Sequence, residues 1–206
     1  MRLLPILAVP FTLFLLAGCE SERSATKVDP AAPDAAKPKD DEQAKIAADI
    51  AALAAGKDPS RAKDSKIYDD AIARLIQRGS SIETTLIDQL RRAEDWGVRL
   101  GLVEVLMATG TKVSVDHLIV CLDDAEPLVA LRANTTLQEM TNHAEIPEAG
   151  IAGANGLPPV PKRQDTDLAL DAELRQWSLW HREHHARLRQ AWAAWWATNK
   201  DQITIK

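Results

Sequence analysis

Three sets of side chains in this 206-residue chain have the types and spacing to do chemistry. His181 and His185 lie four residues apart in His181-Arg182-Glu183-His184-His185. On a helix that interval puts both imidazoles on one face, a geometry that can chelate Zn²⁺ or Cu²⁺. The order is neither HExxH nor HxxEH, and a third ligand would have to come from Glu183 or His143. The alternative is a polar, partly solvated helix face, so no metal is assigned. The carboxylate pairs Asp69-Asp70 and Asp123-Asp124 fall at helix starts or turns, where the N-terminal dipole favours negative charge. Cys121 sits in the apolar helical run Val113 to Leu122 and reads as a buried structural thiol. There is no GxSxG, no glycine-rich phosphate loop, and no Cys beside a plausible base. The sequence therefore predicts neither an enzyme nor a cofactor.

The second cysteine has a different setting. Residues 1–19 read MRLLPILAVPFTLFLLAGC, with Arg2 ahead of a 14-residue apolar run from Leu3 to Leu16. That is the length of a secretion-signal core, and a bilayer-spanning helix needs about 20 residues. The run ends in Leu16-Ala17-Gly18-Cys19, which resembles the lipobox of bacterial lipoproteins. The resemblance implies removal of residues 1–18, acylation of Cys19, and anchoring in the cell envelope. Glu20 follows the cysteine where an Asp would favour inner-membrane retention, so the expected site is the outer membrane, facing the periplasm. With Cys19 acylated, Cys121 has no intrachain disulfide partner.

Behind these groups stand the elements that must position them. From residue 20 to 44 the chain has one large aliphatic residue, Val28, with three Pro and many Ala, Asp and Lys. Such a segment cannot bury enough apolar surface to offset its ordering entropy. It reads as a tether reaching roughly 25–30 Å. The folded domain is expected over 45–206, opening with a short helix in which Ile46, Ile50 and Leu53 share a face. Three later stretches match at offsets of 30 and 31 residues: Tyr68/Val98/Val129, Ile72/Leu102/Ala133, Leu75/Val105/Thr136 and Ile76/Leu106/Leu137. Their +4, +3, +1 spacing is the stripe of an amphipathic helix. Second helices carry Ile82, Leu86, Ile87 and Leu90, then Val115, Leu118, Ile119 and Leu122. Paired antiparallel helices at a period near 30 predict an all-α fold, a short α-solenoid.

These stretches resemble the HEAT-repeat family. The resemblance rests on Trp96-Gly97-Val98-Arg99-Leu100-Gly101-Leu102 and on Glu126-Pro127-Leu128-Val129-Ala130-Leu131-Arg132-Ala133, each after an acidic turn. Arg99 fits the usual repeat arginine, and Arg132 is displaced by two positions. Leu137 to Asn142 and Ala191 to Trp196 are similar to the terminal repeat of bacterial HEAT proteins. Over about residues 65–199, the resemblance implies a scaffold that binds other proteins.

Two segments remain. Residues 143–164, with four Pro and three Gly, read either as a packed cover or as a mobile loop. A long helix from about 167 then carries Leu170, Leu174, Trp177, Trp180, His184, Leu188, Trp192 and Trp195 on one stripe. That stripe either closes the solenoid or lines a groove, and Trp196 is expected to lie partly off it. The expected interaction surface is Ile151, Leu157, Val160, Trp180 and Trp196. With 25 basic against 30 acidic residues and a charge of −5, nucleic acid and anionic headgroups are disfavoured as the main partner. The expected partners are another envelope protein and, through Cys19, the membrane. The runner-up is a small-ligand or metal-binding module built on the Trp/His helix.

Overall fold

The structure is a computed structural model that describes residues 37–57, 62–147, 153, 155–161 and 169–205. Cys19, Ile151 and the 1–36 segment lie outside the described residues. The described residues are all-helical, without a strand. The α-helices are α1 (Lys37–Ala52), α2 (Ala62–Gln77), α3 (Glu83–Arg92), α4 (Trp96–Thr109), α5 (Lys112–Cys121), α6 (Pro127–Thr141) and α7 (Ala169–Asn199). Short 3₁₀ turns, Leu53–Lys57 and Gly79–Ile82, precede α2 and α3. No helix among the described residues is long and apolar enough to cross a membrane.

The folded part starts earlier than the sequence boundary at 45. α1 begins at Lys37, with Pro38 in a first turn that needs no amide donor and Asp40 at the positive end of the dipole. Asp41 pairs with Lys45 one turn on (3.1 Å), and Glu42 reaches Arg78 of α2 (2.8 Å). Arg78 and Arg74 also converge on the buried Asp49 (2.9 and 2.7 Å). Ion pairs to α2 thus hold polar residues whose composition alone gives no reason to fold.

Each boundary has a local cause. Asp95 caps α4 by accepting from the Gly97 and Val98 amides (2.8 and 3.3 Å), and Thr111 caps α5 by accepting from Val113 N–H. Pro127 opens α6, and Asn142 ends it in the left-handed region (φ 53°), where an asparagine is tolerated.

The helices pack in two series. α2 touches α4 and α4 touches α6; α3 touches α5 and α5 touches α7; α3–α4, α5–α6 and α6–α7 contacts join the series. The matched stripe positions lie on α2, α4 and α6, and Leu75, Leu102, Leu106, Val129, Ala133 and Leu137 are fully buried. A polar strut crosses all three helices: Tyr68 O–H donates to Glu104 (2.7 Å), whose other oxygen pairs with Arg132 (2.8 Å). Burial and the Glu104 hydrogen bond push the Tyr68 phenol upward, so it stays a donor. α1 and the turn after it cover α2 and α4. Leu53 seats on Gly101, where a Cβ would lie 2.9 Å from its Cδ2.

Candidate functional site

The imidazoles singled out by their spacing sit where α7 crosses the α5–α6 turn. His181 is 6 % exposed, and its Nε2 bonds the Leu122 carbonyl (2.7 Å). That oxygen is a helix-end acceptor that would otherwise lack a partner. His185 Nδ1 meets Asp123 Oδ1 (3.0 Å), while Arg189 bonds the other Asp123 oxygen. Partial burial works against the Asp123 charge, but the bonds from His185 and Arg189 outweigh it and hold the carboxyl below the usual range. No three His, Cys, Asp or Glu side chains are grouped to hold a metal among the described residues. His181 and His185 therefore tie the α5–α6 turn to α7, with their nitrogens aimed at different protein atoms.

Burial pushes the His181 pKa down despite the carbonyl bond. The unfolded chain then takes up a proton first as pH falls. Stability should be level above the ordinary histidine value, about 6.5, and decline below it until the folded imidazole itself protonates. Denaturant melts of the protein and of His181→Gln, which keeps a donor without titrating, test this. The variant should lose part of the acid-side slope.

The expected interaction surface does not survive as one. Trp180 is buried, with its Nε1–H donating to the Pro158 carbonyl (3.1 Å), and Leu157 is in the core. Val160 packs against the core half-buried. Trp196 is 3 % exposed, and its indole N–H finds no partner. The ring at the stripe's edge is instead Trp195, stacked on His143 with centroids 3.9 Å apart. For Trp180 and Leu157 the physical reason is the loop. Asn155 bonds Glu145, Glu145 bonds His143 (2.8 Å), and Arg187 bonds the Gly156 carbonyl (2.6 Å). The described part of 143–161 is thus a packed cover, which widens the buried arc of α7 beyond one stripe. Of the residues that a ligand site on this helix would need open, Trp180 and His181 are buried, whereas half-buried His185 lines a cleft of about 320 Å³ with Asp123 and Arg182, and Trp195 lines one of about 430 Å³ with His143.

An exposed apolar pair lies on α5. Val113 and Val120 are 60 % and 59 % exposed, seven residues apart on one face, with half-buried His117 between them. Beside them runs a cleft of about 410 Å³ lined by residues including Leu90 and Arg91 of α3, His117, Val120 and Cys121 of α5, and the Arg99–Asp124 pair. Arg99 holds Asp124 through two bonds (2.6 and 2.8 Å) and donates to the Ala93 and Glu94 carbonyls, which makes this end rigid. Burial first, then the Asp124 charge, pushes the Cys121 thiol up to about 12, so it is no nucleophile at neutral pH. The sequence signal for this face was present: Val113 and Val120 fall off the Val115–Leu118–Ile119–Leu122 stripe.

Comparison of the chain with protein-family models, with curated proteins and with solved structures gives no match in any of the three.

Proposed function

We propose that the chain is a lipid-anchored bacterial envelope protein whose helical domain is a protein-binding scaffold, a short HEAT-like α-solenoid. Its anchor is Cys19, and its place is the outer membrane facing the periplasm. The observation that carries the binding role is the pair Val113 and Val120. Each is an exposed valine on a helix clamped at both ends, and Val120 lines a cleft of apolar, basic and acidic side chains. Isolated exposed apolar side chains are ordinary, but two at heptad spacing beside a cleft are the anatomy of a docking face. The packing supports the solenoid reading, because from α2 to α7 the main contacts join helices one or two apart in chain order.

The test is crosslinking of the tagged protein in its native envelope, followed by mass spectrometry. The wild-type chain should capture one stoichiometric protein, and Val113→Asp with Val120→Asp should lose it while keeping full helicity. Unchanged capture by the double variant overturns the assignment of the face. Metabolic palmitate labelling, lost in Cys19→Ser, tests the anchor separately.

A further inference from the structure

The solvent side of α7 carries a second, chemically different surface. Arg175, Arg182 and Arg189 are exposed and successively seven residues apart. Each heptad drifts by about 20°, so all three fall within about 40° of one another. At 1.5 Å per residue they span about 21 Å, with one guanidinium about every 10 Å. Between them on the same arc lie Leu179, half exposed, then Ala186 and, beyond Arg189, Ala193. The one acidic residue of α7 from Arg175 to Ala193, Glu183, is turned about 100° from Arg182, while Asp123 and Asp124 of the α5–α6 turn line a cleft with Arg182. A chain of net charge −5 therefore holds a ridge of three exposed arginines on one side of α7. Arg189 shares its charge with Asp123, whereas Arg175 and Arg182 are exposed and make no ion pair among the described residues.

We propose that this ridge rests on the anionic headgroups of the bilayer. Guanidinium groups bind phosphate oxygens in pairs, and a ridge fits a flat array of phosphates as a concave protein pocket would not require. Chain length allows it. Seventeen residues separate Cys19 from Lys37, the start of α1. Seventeen residues at the random-coil scaling expected of their composition would reach roughly 21–25 Å, comparable to the ridge itself. The proposal takes its proximity to the membrane from the lipid-anchor reading. The ridge would turn a free tether into a preferred orientation, with Leu179 entering the headgroup layer.

The test uses the chain from residue 19 with Cys19→Ser, so that no acyl chain contributes and failure leaves the palmitate result untouched. It is mixed with vesicles of equal parts phosphatidylglycerol and phosphatidylcholine, or of phosphatidylcholine alone, and sedimented at low and at physiological salt. Binding should require the anionic lipid and weaken with salt. Arg175→Glu with Arg182→Glu should lower the partition coefficient at least about tenfold, and Arg91→Glu with Arg92→Glu by less than about twofold. Arg175→Gln with Arg182→Gln, checked for native helicity, should give a smaller loss in the same direction and guards against misfolding. No binding to anionic vesicles, equal binding to phosphatidylcholine, or equal losses from the α7 and α3 pairs overturns the proposal. An acidic protein or a second copy as the true occupant would give the first of these results.

Discussion

Trp192→Ala should cost the protein about 3–5 kcal/mol. The indole is fully buried, and its Nε1–H donates to Asn134 Oδ1 (3.0 Å), an amide itself buried on α6. Truncation removes the largest fully buried side chain and leaves that amide short of its donor, so a cavity term and a desolvation term add. Trp192 also meets the edges of His143 and Trp195, at centroid distances of 5.3 and 5.7 Å, so the cover over α7 should loosen as well. Trp192→Phe keeps most of the apolar area and strands only the amide, and should cost about 1–3 kcal/mol. Urea melts of the two variants check this. A change below about 1 kcal/mol for Trp192→Ala would mean that α7 is not held to α6 through this ring.

The parts of the fold legible in the sequence are those set by period. The four matched triplets land on α2, α4 and α6 because buried stripes repeat at 3.6 residues, whatever lies beyond them. Acidic and threonine caps placed the starts of α4 and α5 for the same local reason. What stayed hidden depends on partners distant in sequence. Residues 37–44 look like linker until Glu42 finds Arg78, thirty-six residues away. Trp196 looks like an outlier, although its +4 step from Trp192 keeps it on the face of α7 that the fold buries. His181 and His185 share a face, as their spacing requires. Whether that face meets a metal or a carbonyl is decided by the α5–α6 turn, which no pattern within α7 encodes.

The two surfaces of the domain are built to different rules. α5 offers apolar area on a clamped helix, suited to a protein whose own apolar residues need cover. α7 offers charge on an exposed arc while its other side is sunk in the core through Trp177, Trp180, Leu188 and Trp192. Because α5 and α7 touch, orienting one orients the other. A ridge seated on headgroups would restrict which envelope proteins can approach Val113 and Val120. Membrane composition would then alter partner capture in the wild-type chain but not in Arg175→Glu with Arg182→Glu.

Glu83→Ala should be nearly as damaging as the tryptophan truncation, at about 3 kcal/mol, and for a polar reason. The carboxylate is buried at the start of α3 and reaches across to the start of α5. It accepts the Thr111 amide (2.7 Å), the Thr111 hydroxyl (2.9 Å) and the Ser114 hydroxyl. A negative charge at that point also opposes the positive end of the α5 dipole. Removing it leaves the buried Ser114 hydroxyl and the Thr111 N–H facing a cavity, each costing about 1–3 kcal/mol. Glu83→Gln retains an acceptor oxygen at similar volume and should recover about half of the loss. Amide exchange gives the sharper reading, because the damage should concentrate at the first turn of α5 while α2 and α4 keep their protection. Since that turn carries Val113, partner capture should fall in Glu83→Ala even where the rest of the domain remains folded. Uniform exchange across all helices would instead make Glu83 a general contributor to stability, with no special hold on the docking helix.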